Sequence, residues 1–95
     1  MLEKEIEAKV CEYARGKGVL VYKFTSPARA AVPDRLFIRQ DGLVWFCEFK
    51  AAGKKPTPAQ EREHTRLREH KVNVFVIDNV IEGKTMIDLM VMGAI

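Results

Sequence analysis

The stretch VPDRLFIRQDGLVWFCEFK, residues 32–50, decides the fold of this chain. It contains two runs rich in β-branched and aromatic residues, which predict one strand over 32–38 and a second over 43–50. Gln40-Asp41-Gly42 lies between the runs and is a turn signal, so we expect an antiparallel hairpin. The hairpin would bring the start of the first strand beside the end of the second.

Charged residues stand at those two strand ends. Asp34 follows Pro33 at the start of the first run, and Glu48-Phe49-Lys50 ends the second. Side chains alternate across a strand, so Glu48 and Lys50 share a face while Phe49 points away into packing. Two neighbouring carboxylates repel one another unless a cation joins them, and oxygen-only sites suit hard ions such as Mg²⁺ or Mn²⁺. The hairpin therefore predicts a divalent-cation site.

The rest of the chain supplies four further elements around the hairpin. They are a helix over 2–15, a strand over 19–24, a helix from 58 to about 70, and a strand over 72–77. The segment 86–95 is strongly apolar but too short to classify. The predicted order is α-β-β-β-α-β, which is an α/β fold.

Composition restricts the function only loosely. Ninety-five residues, 47% hydrophobic and 31% charged, predict one small globular domain over 1–95. A net charge of +3 permits a nucleic-acid partner without demanding one. The opening Met-Leu-Glu-Lys-Glu is unlike a signal peptide, and no apolar stretch approaches the ~18–20 residues that span a bilayer. We therefore expect an intracellular, cytoplasmic protein with no membrane partner.

The charged pattern, Pro33-Asp34 with Glu48-Phe49-Lys50, resembles the active site of the PD-(D/E)xK phosphodiesterase superfamily. Its flanks, YKFTSP at 22–27 and EFKAAGKKPTPAQER at 48–62, look like those of the VRR-NUC nucleases, and the resemblance spans roughly residues 3–78. It implies a restriction-endonuclease-like core with a mixed four-stranded sheet flanked by helices. It also implies a metal-dependent endonuclease that acts on DNA and leaves a 5′-phosphate and a 3′-hydroxyl, from a phage or bacterial source.

The resemblance also implies roles for individual residues. Asp34 and Glu48 would bind Mg²⁺ or Mn²⁺, the backbone carbonyl of Phe49 would add an oxygen, and Lys50 would orient the attacking water. In the wider superfamily a glutamate of the first helix joins the metal ligands. Glu7 fits that position, with Glu3 as its substitute.

The second helix leaves one assignment open. Thr57 and Gln60 form a capping-box pattern, which alone explains a glutamine at this position. Gln60, His64 and Leu67 also fall on one helical face, which would lie over the sheet near Lys50. Family members carry a glutamine here that approaches the site, so both interpretations of Gln60 stand. His64 itself has no partner acid or nucleophile at a telling position.

Basic residues in the loops predict a DNA interface. Arg29, Lys54 and Lys55 flank the proposed metal site and are the best candidates for phosphate contacts. With no second domain, DNA shape and symmetry would have to supply specificity. We therefore expect a homodimer that cuts branched DNA such as Holliday junctions, with the apolar segment 86–92 as its dimer surface. The alternatives are a nicking or restriction-type nuclease on linear duplex and a non-catalytic DNA-binding module.

Overall fold

A computed structural model describes residues 1–93 and confirms the predicted α/β class and element order, with one helix added at the end. The strands are shorter than predicted. The elements are α1 (Glu3–Gly16), β1 (Leu20–Lys23), β2 (Arg35–Ile38), β3 (Val44–Phe49), α2 (Pro58–Glu69), β4 (Asn73–Ile77) and α3 (Val80–Met92).

The four strands form one mixed sheet in the order β1-β2-β3-β4, as the family resemblance implied. β1, β2 and β3 pair antiparallel, so the predicted hairpin is confirmed. β4 pairs parallel with β3, which requires a crossover connection, and α2 provides it. Asp34 lies one residue before β2, where its backbone carbonyl accepts a hydrogen bond from the Phe24 amide at 2.9 Å.

The two faces of this sheet differ in what covers them. The core face carries Phe37, Trp45 and Phe49, which are fully buried together with apolar residues of α1 and α3. The Phe37 and Trp45 rings stack there with their centroids 5.4 Å apart. The opposite face, here called the site face, carries Glu48, and α2 lies against it beside β4.

Helix α3 contains the apolar segment 86–92 and buries part of it. Met86, Ile87 and Met90 lie in the chain's own core, whereas Leu89 and Met92 are 36% and 76% exposed, so the role of this segment as a dimer surface stays a prediction. α3 packs closely on α1, because a Cβ at Gly83 would stand only 2.3 Å from Cγ2 of Val10. Residues 94 and 95 of the predicted apolar tail lie outside the described residues.

None of the helices within residues 1–93 combines the length and the apolar composition needed to cross a membrane.

Candidate active site

Asp34 and Glu48 meet on the site face, next to the end of β3. Arg35 pairs with Cys47 in the register, which sets the preceding Asp34 opposite Glu48. The Asp34 carboxylate is held in place because its Oδ2 accepts a hydrogen bond from the Phe49 amide at 2.8 Å. The Phe49 side chain points into the core, as alternation predicted. The structure thus brings the two predicted carboxylates together.

Glu48 is a buried carboxylate with partners on one oxygen only. Its Oε2 lies 3.6 Å from Lys50 Nζ and accepts a hydrogen bond from Gln60 Nε2 at 3.2 Å. Its Oε1 is buried and has no hydrogen-bond partner among the residues that the structure describes. A buried polar atom without a partner is costly, so this oxygen is available to a ligand.

Charge at this pair is incompletely balanced. Burial and, secondarily, the neighbouring Asp34 raise the pKa of Glu48 from 4.5 to about 8, and the Lys50 ammonium offsets only part of this. Lys50 alone therefore supplies too little positive charge to balance two neighbouring carboxylates. A bound cation would supply that charge.

The donor set suits a small hard cation. Mg²⁺ commonly binds through one or two carboxylates and completes its shell with water and substrate phosphate, and Asp34 and Glu48 supply such a pair. Across residues 1–93, no three Asp, Glu, His or Cys side chains are grouped so as to hold one metal ion. The residues therefore fit a cation that takes two protein carboxylates and other oxygens from solvent, backbone or DNA.

The first-helix glutamates stand apart from this pair. Glu7 accepts a hydrogen bond from Arg35 Nε at 2.6 Å in an ion pair that is largely shielded from solvent. Glu3 is exposed, and its charge contributes slightly to the raised pKa of Glu48. Glu7 thus has a structural partner of its own, and its metal role stays a prediction.

Gln60 combines both interpretations that the sequence left open. Its backbone amide and side-chain oxygen complete the capping box with Thr57, through bonds of 3.2 and 2.9 Å. Its side-chain nitrogen meanwhile donates to Glu48 Oε2. The helix cap therefore fixes the rotamer that holds the carboxylate.

Sequence reasoning set His64 aside, but the structure places it at the site. His64 is 1% exposed, and its Nε2 lies 4.0 Å from Glu48 Oε1 with no hydrogen-bond partner within residues 1–93. Burial, followed by the charges of Arg68 and Lys50, lowers the pKa of His64, which favours the neutral ring. The sequence signal that could have identified His64 was its position four residues after Gln60, on the same face of α2.

The residues predicted to contact DNA lie in two loops, one between β1 and β2 and one between β3 and α2. Arg29 is half exposed and lies 3.4 Å from Glu63 of α2, which ties the loop before Asp34 to that helix. Lys54 and Lys55 are exposed in the loop that follows Lys50. The Gly53 amide donates to Asp78 Oδ2 at 3.1 Å and anchors this loop. Their contacts with DNA remain predictions.

Comparison with known proteins identifies close similarity in sequence and in structure. The chain is 46% identical over 77 residues to the protein named "Putative nuclease p44" of Acyrthosiphon pisum secondary endosymbiont phage 1, covering 81% of this chain and 83% of that protein. A solved structure described as "VRR_NUC domain" superimposes with a TM-score of 0.84 at 34% identity, covering 90% of this chain and 94% of the other. No family model matches the chain.

Proposed function

Since the chain belongs to the VRR-NUC family of nucleases, we propose that it is a metal-dependent endonuclease that hydrolyses phosphodiester bonds in DNA. The observation that carries this proposal is the paired carboxylates of Asp34 and Glu48, with Lys50 Nζ 3.6 Å from Glu48. An acidic pair beside a partly buried ammonium matches the needs of phosphate chemistry, in which negative charge must be neutralised and a water activated.

Each residue of the site has a distinct task in this proposal. Asp34 and Glu48 would hold Mg²⁺ or Mn²⁺, which would lower the pKa of a water and neutralise charge on the scissile phosphate. The Lys50 ammonium has three donors, so it can contact Glu48 while also orienting the attacking water or a phosphate oxygen. Water adds to phosphorus and the bond to the 3′-oxygen breaks, leaving a 5′-phosphate and a 3′-hydroxyl. Arg29, Lys54 and Lys55 would bind neighbouring phosphates.

Branched DNA is the proposed substrate, cut by a homodimer. A two-fold dimer presents two equivalent sites to two strands, which suits a four-way junction. The site face offers an uncovered apolar surface for a second copy, because Leu20, Tyr22 and Val44 are 55%, 52% and 37% exposed. In the register, Leu20 pairs with Ile38 and Ile38 with Val44, so these side chains form one continuous patch. A patch of this kind on a small domain favours association.

A cleavage assay tests the chemistry and the substrate together. Labelled four-way junction, flap and linear duplex would be incubated with EDTA, Mg²⁺ or Mn²⁺. We expect symmetric cuts in the junction that EDTA abolishes and that Lys50→Ala reduces by about 10²–10³-fold, as for the loss of one electrostatic stabiliser. Lys23→Ala is the matched control. Lys23 pairs with Arg35 in the register and so lies on the face of the sheet opposite the site face. This variant should cut DNA at the wild-type rate.

Other results of the same assay would replace this proposal. Equal cutting of every duplex would indicate a nuclease of linear DNA. Binding without cutting in both metal ions would indicate a non-catalytic DNA-binding module.

Sedimentation equilibrium tests the dimer. We expect Tyr22→Asp to shift the wild-type dimer towards monomer, because it places a charge in the apolar patch of the site face. Ile81→Asp is the control: Ile81 is 79% exposed but lies on α3, away from the patch. A wild-type monomer at high concentration would refute the dimer, and an effect of Ile81→Asp alone would move the interface to α3.

A further inference from the structure

Two buried polar atoms without partners face one another on the site face. His64 Nε2 and Glu48 Oε1 are 4.0 Å apart, and neither has a hydrogen-bond partner within residues 1–93. A buried polar group without a hydrogen-bond partner is destabilising, so folded proteins rarely keep two of them adjacent. Such a pair indicates an interaction that forms in another state of the site.

We propose that His64 is a positioning residue for Glu48, a role that rests on the proposed nuclease function. The imidazole donates its Nε2 hydrogen to Glu48 Oε1 when the site holds a cation. A donor distance near 2.9 Å requires the two groups to approach by about 1 Å. No proton is transferred in this step.

Helix α2 then holds the Glu48 carboxylate at both oxygens. Gln60 already donates to Oε2, and His64, four residues later on the same face, would donate to Oε1. Two donors from one rigid element fix the plane of the carboxylate and leave its other lone pairs for the cation. Partners that orient a metal-binding side chain in this way typically contribute 10–100-fold to metal affinity or activity.

The burial of His64 limits what its ring can contact. His64 is 1% exposed, so water does not offer its Nε2 an alternative partner. A neutral ring has one N–H, and the proposal assigns it to Nε2.

Mn²⁺ binding without DNA provides the test, with three substitutions compared by calorimetry. We expect His64→Leu to weaken Mn²⁺ binding by about 10–100-fold and to lower the cleavage rate. His64→Gln should keep most of the wild-type affinity for Mn²⁺, because the glutamine amide reaches the position of the imidazole Nε2. His64→Asn should lose affinity as His64→Leu does, because its shorter amide reaches only the position of Nδ1.

The possible outcomes distinguish a positioning role of His64 from a purely structural role in packing, and from a failure of the proposed nuclease function. Equal Mn²⁺ affinity in wild type and His64→Leu would overturn the role, as would equal losses in the Leu and Gln variants. Nitrogen-15 NMR of the metal-free protein gives an independent readout: a hydrogen on Nδ1 rather than Nε2 would also overturn it. A wild type that neither binds Mn²⁺ nor cuts DNA would remove the proposed function, and this role with it.

Discussion

The two faces of the sheet are built from alternate residues of the same strands, yet they differ in what they leave unsatisfied. On the core face, β3 contributes Trp45, Cys47 and Phe49, all fully buried in an apolar cluster, where the indole Nε1 of Trp45 is a neutral donor without a hydrogen-bond partner within residues 1–93. On the site face the same strand contributes Phe46 and Glu48, and Glu48 carries a buried oxygen without a partner. The core face stabilises the fold, and the site face retains costly polar groups that a ligand can satisfy.

The largest effect should come from breaking the core face. Gly83→Val would push a side chain into Val10 and Ile77, and we expect it to lower the free energy of unfolding by about 1–3 kcal/mol. Thermal unfolding measures this loss of stability. Cleavage activity should fall only as far as the fraction of folded protein falls. Gly16→Ala is the control, since a Cβ there meets nothing within 4 Å, and its stability should be unchanged or slightly raised. A Gly83→Val variant as stable as the wild type would contradict the close packing of α1 and α3.

A second comparison separates stability from chemistry on the site face. Gln60→Glu keeps an oxygen that can cap Thr57 but loses the donor to Glu48 and places a third carboxylate at the site. We expect near-normal stability and cleavage reduced about 10–100-fold. Gln60→Ala should also lose the hydrogen bond from the Thr57 amide to the Gln60 side chain, although Thr57 still caps the backbone amide of residue 60, and be about 0.5–1.5 kcal/mol less stable. The idea fails if Gln60→Glu cuts at the wild-type rate.

A third comparison concerns the change of stability with pH. Burial and Asp34 raise the pKa of Glu48 from 4.5 to about 8, so between these values the folded state keeps a proton that the unfolded chain has released. The metal-free protein should therefore lose stability as pH rises through this range. Lys50 and Glu3 act on the same group in opposite directions, and His64, whose pKa is lowered, contributes an opposite trend below 6.5.

Glu48→Gln isolates this contribution. The Tm of the wild type minus the Tm of Glu48→Gln should fall as pH rises from 4.5 to 8, because only the wild type loses the stabilising proton. A change of about 1 kcal/mol in the free energy of unfolding corresponds to about 4–8 °C in Tm for a domain of this size. Adding Mg²⁺ should stabilise the wild type more at the upper end of the range, because binding requires the ionised carboxylate. A difference that does not vary with pH would mean that Glu48 ionises normally.

The hairpin and its charged pair could be predicted from sequence because both depend on local patterns. Alternation placed Glu48 and Lys50 on one face and Phe49 on the other, and the Gln40-Asp41-Gly42 turn set the pairing. The predicted strands were too long at their ends, because a strand stops where its pairing partner does and not where the apolar run ends.

Helix α3 and the contacts between distant segments could not be predicted in this way. The exposed side of α3 mixes Ile81 and Met92 with polar residues such as Lys84, so its sequence lacks the continuous polar face that marks an amphipathic helix. The His64–Glu48 approach joins α2 to β3, and its distance depends on how the helix sits on the sheet. Sequence spacing indicated the face of α2 but not the atoms that it would meet.

The adjacent residues Asp34 and Arg35 link the two sides of the sheet mechanically. Asp34 belongs to the site, whereas Arg35 is joined to Glu7 of α1 by a 2.6 Å ion pair. A displacement of α1 would therefore be transmitted through one peptide unit to the carboxylate of Asp34 in the candidate site. For protein engineering, this means that α1 cannot be exchanged or redesigned as an independent module, because the geometry of the candidate site would change with it.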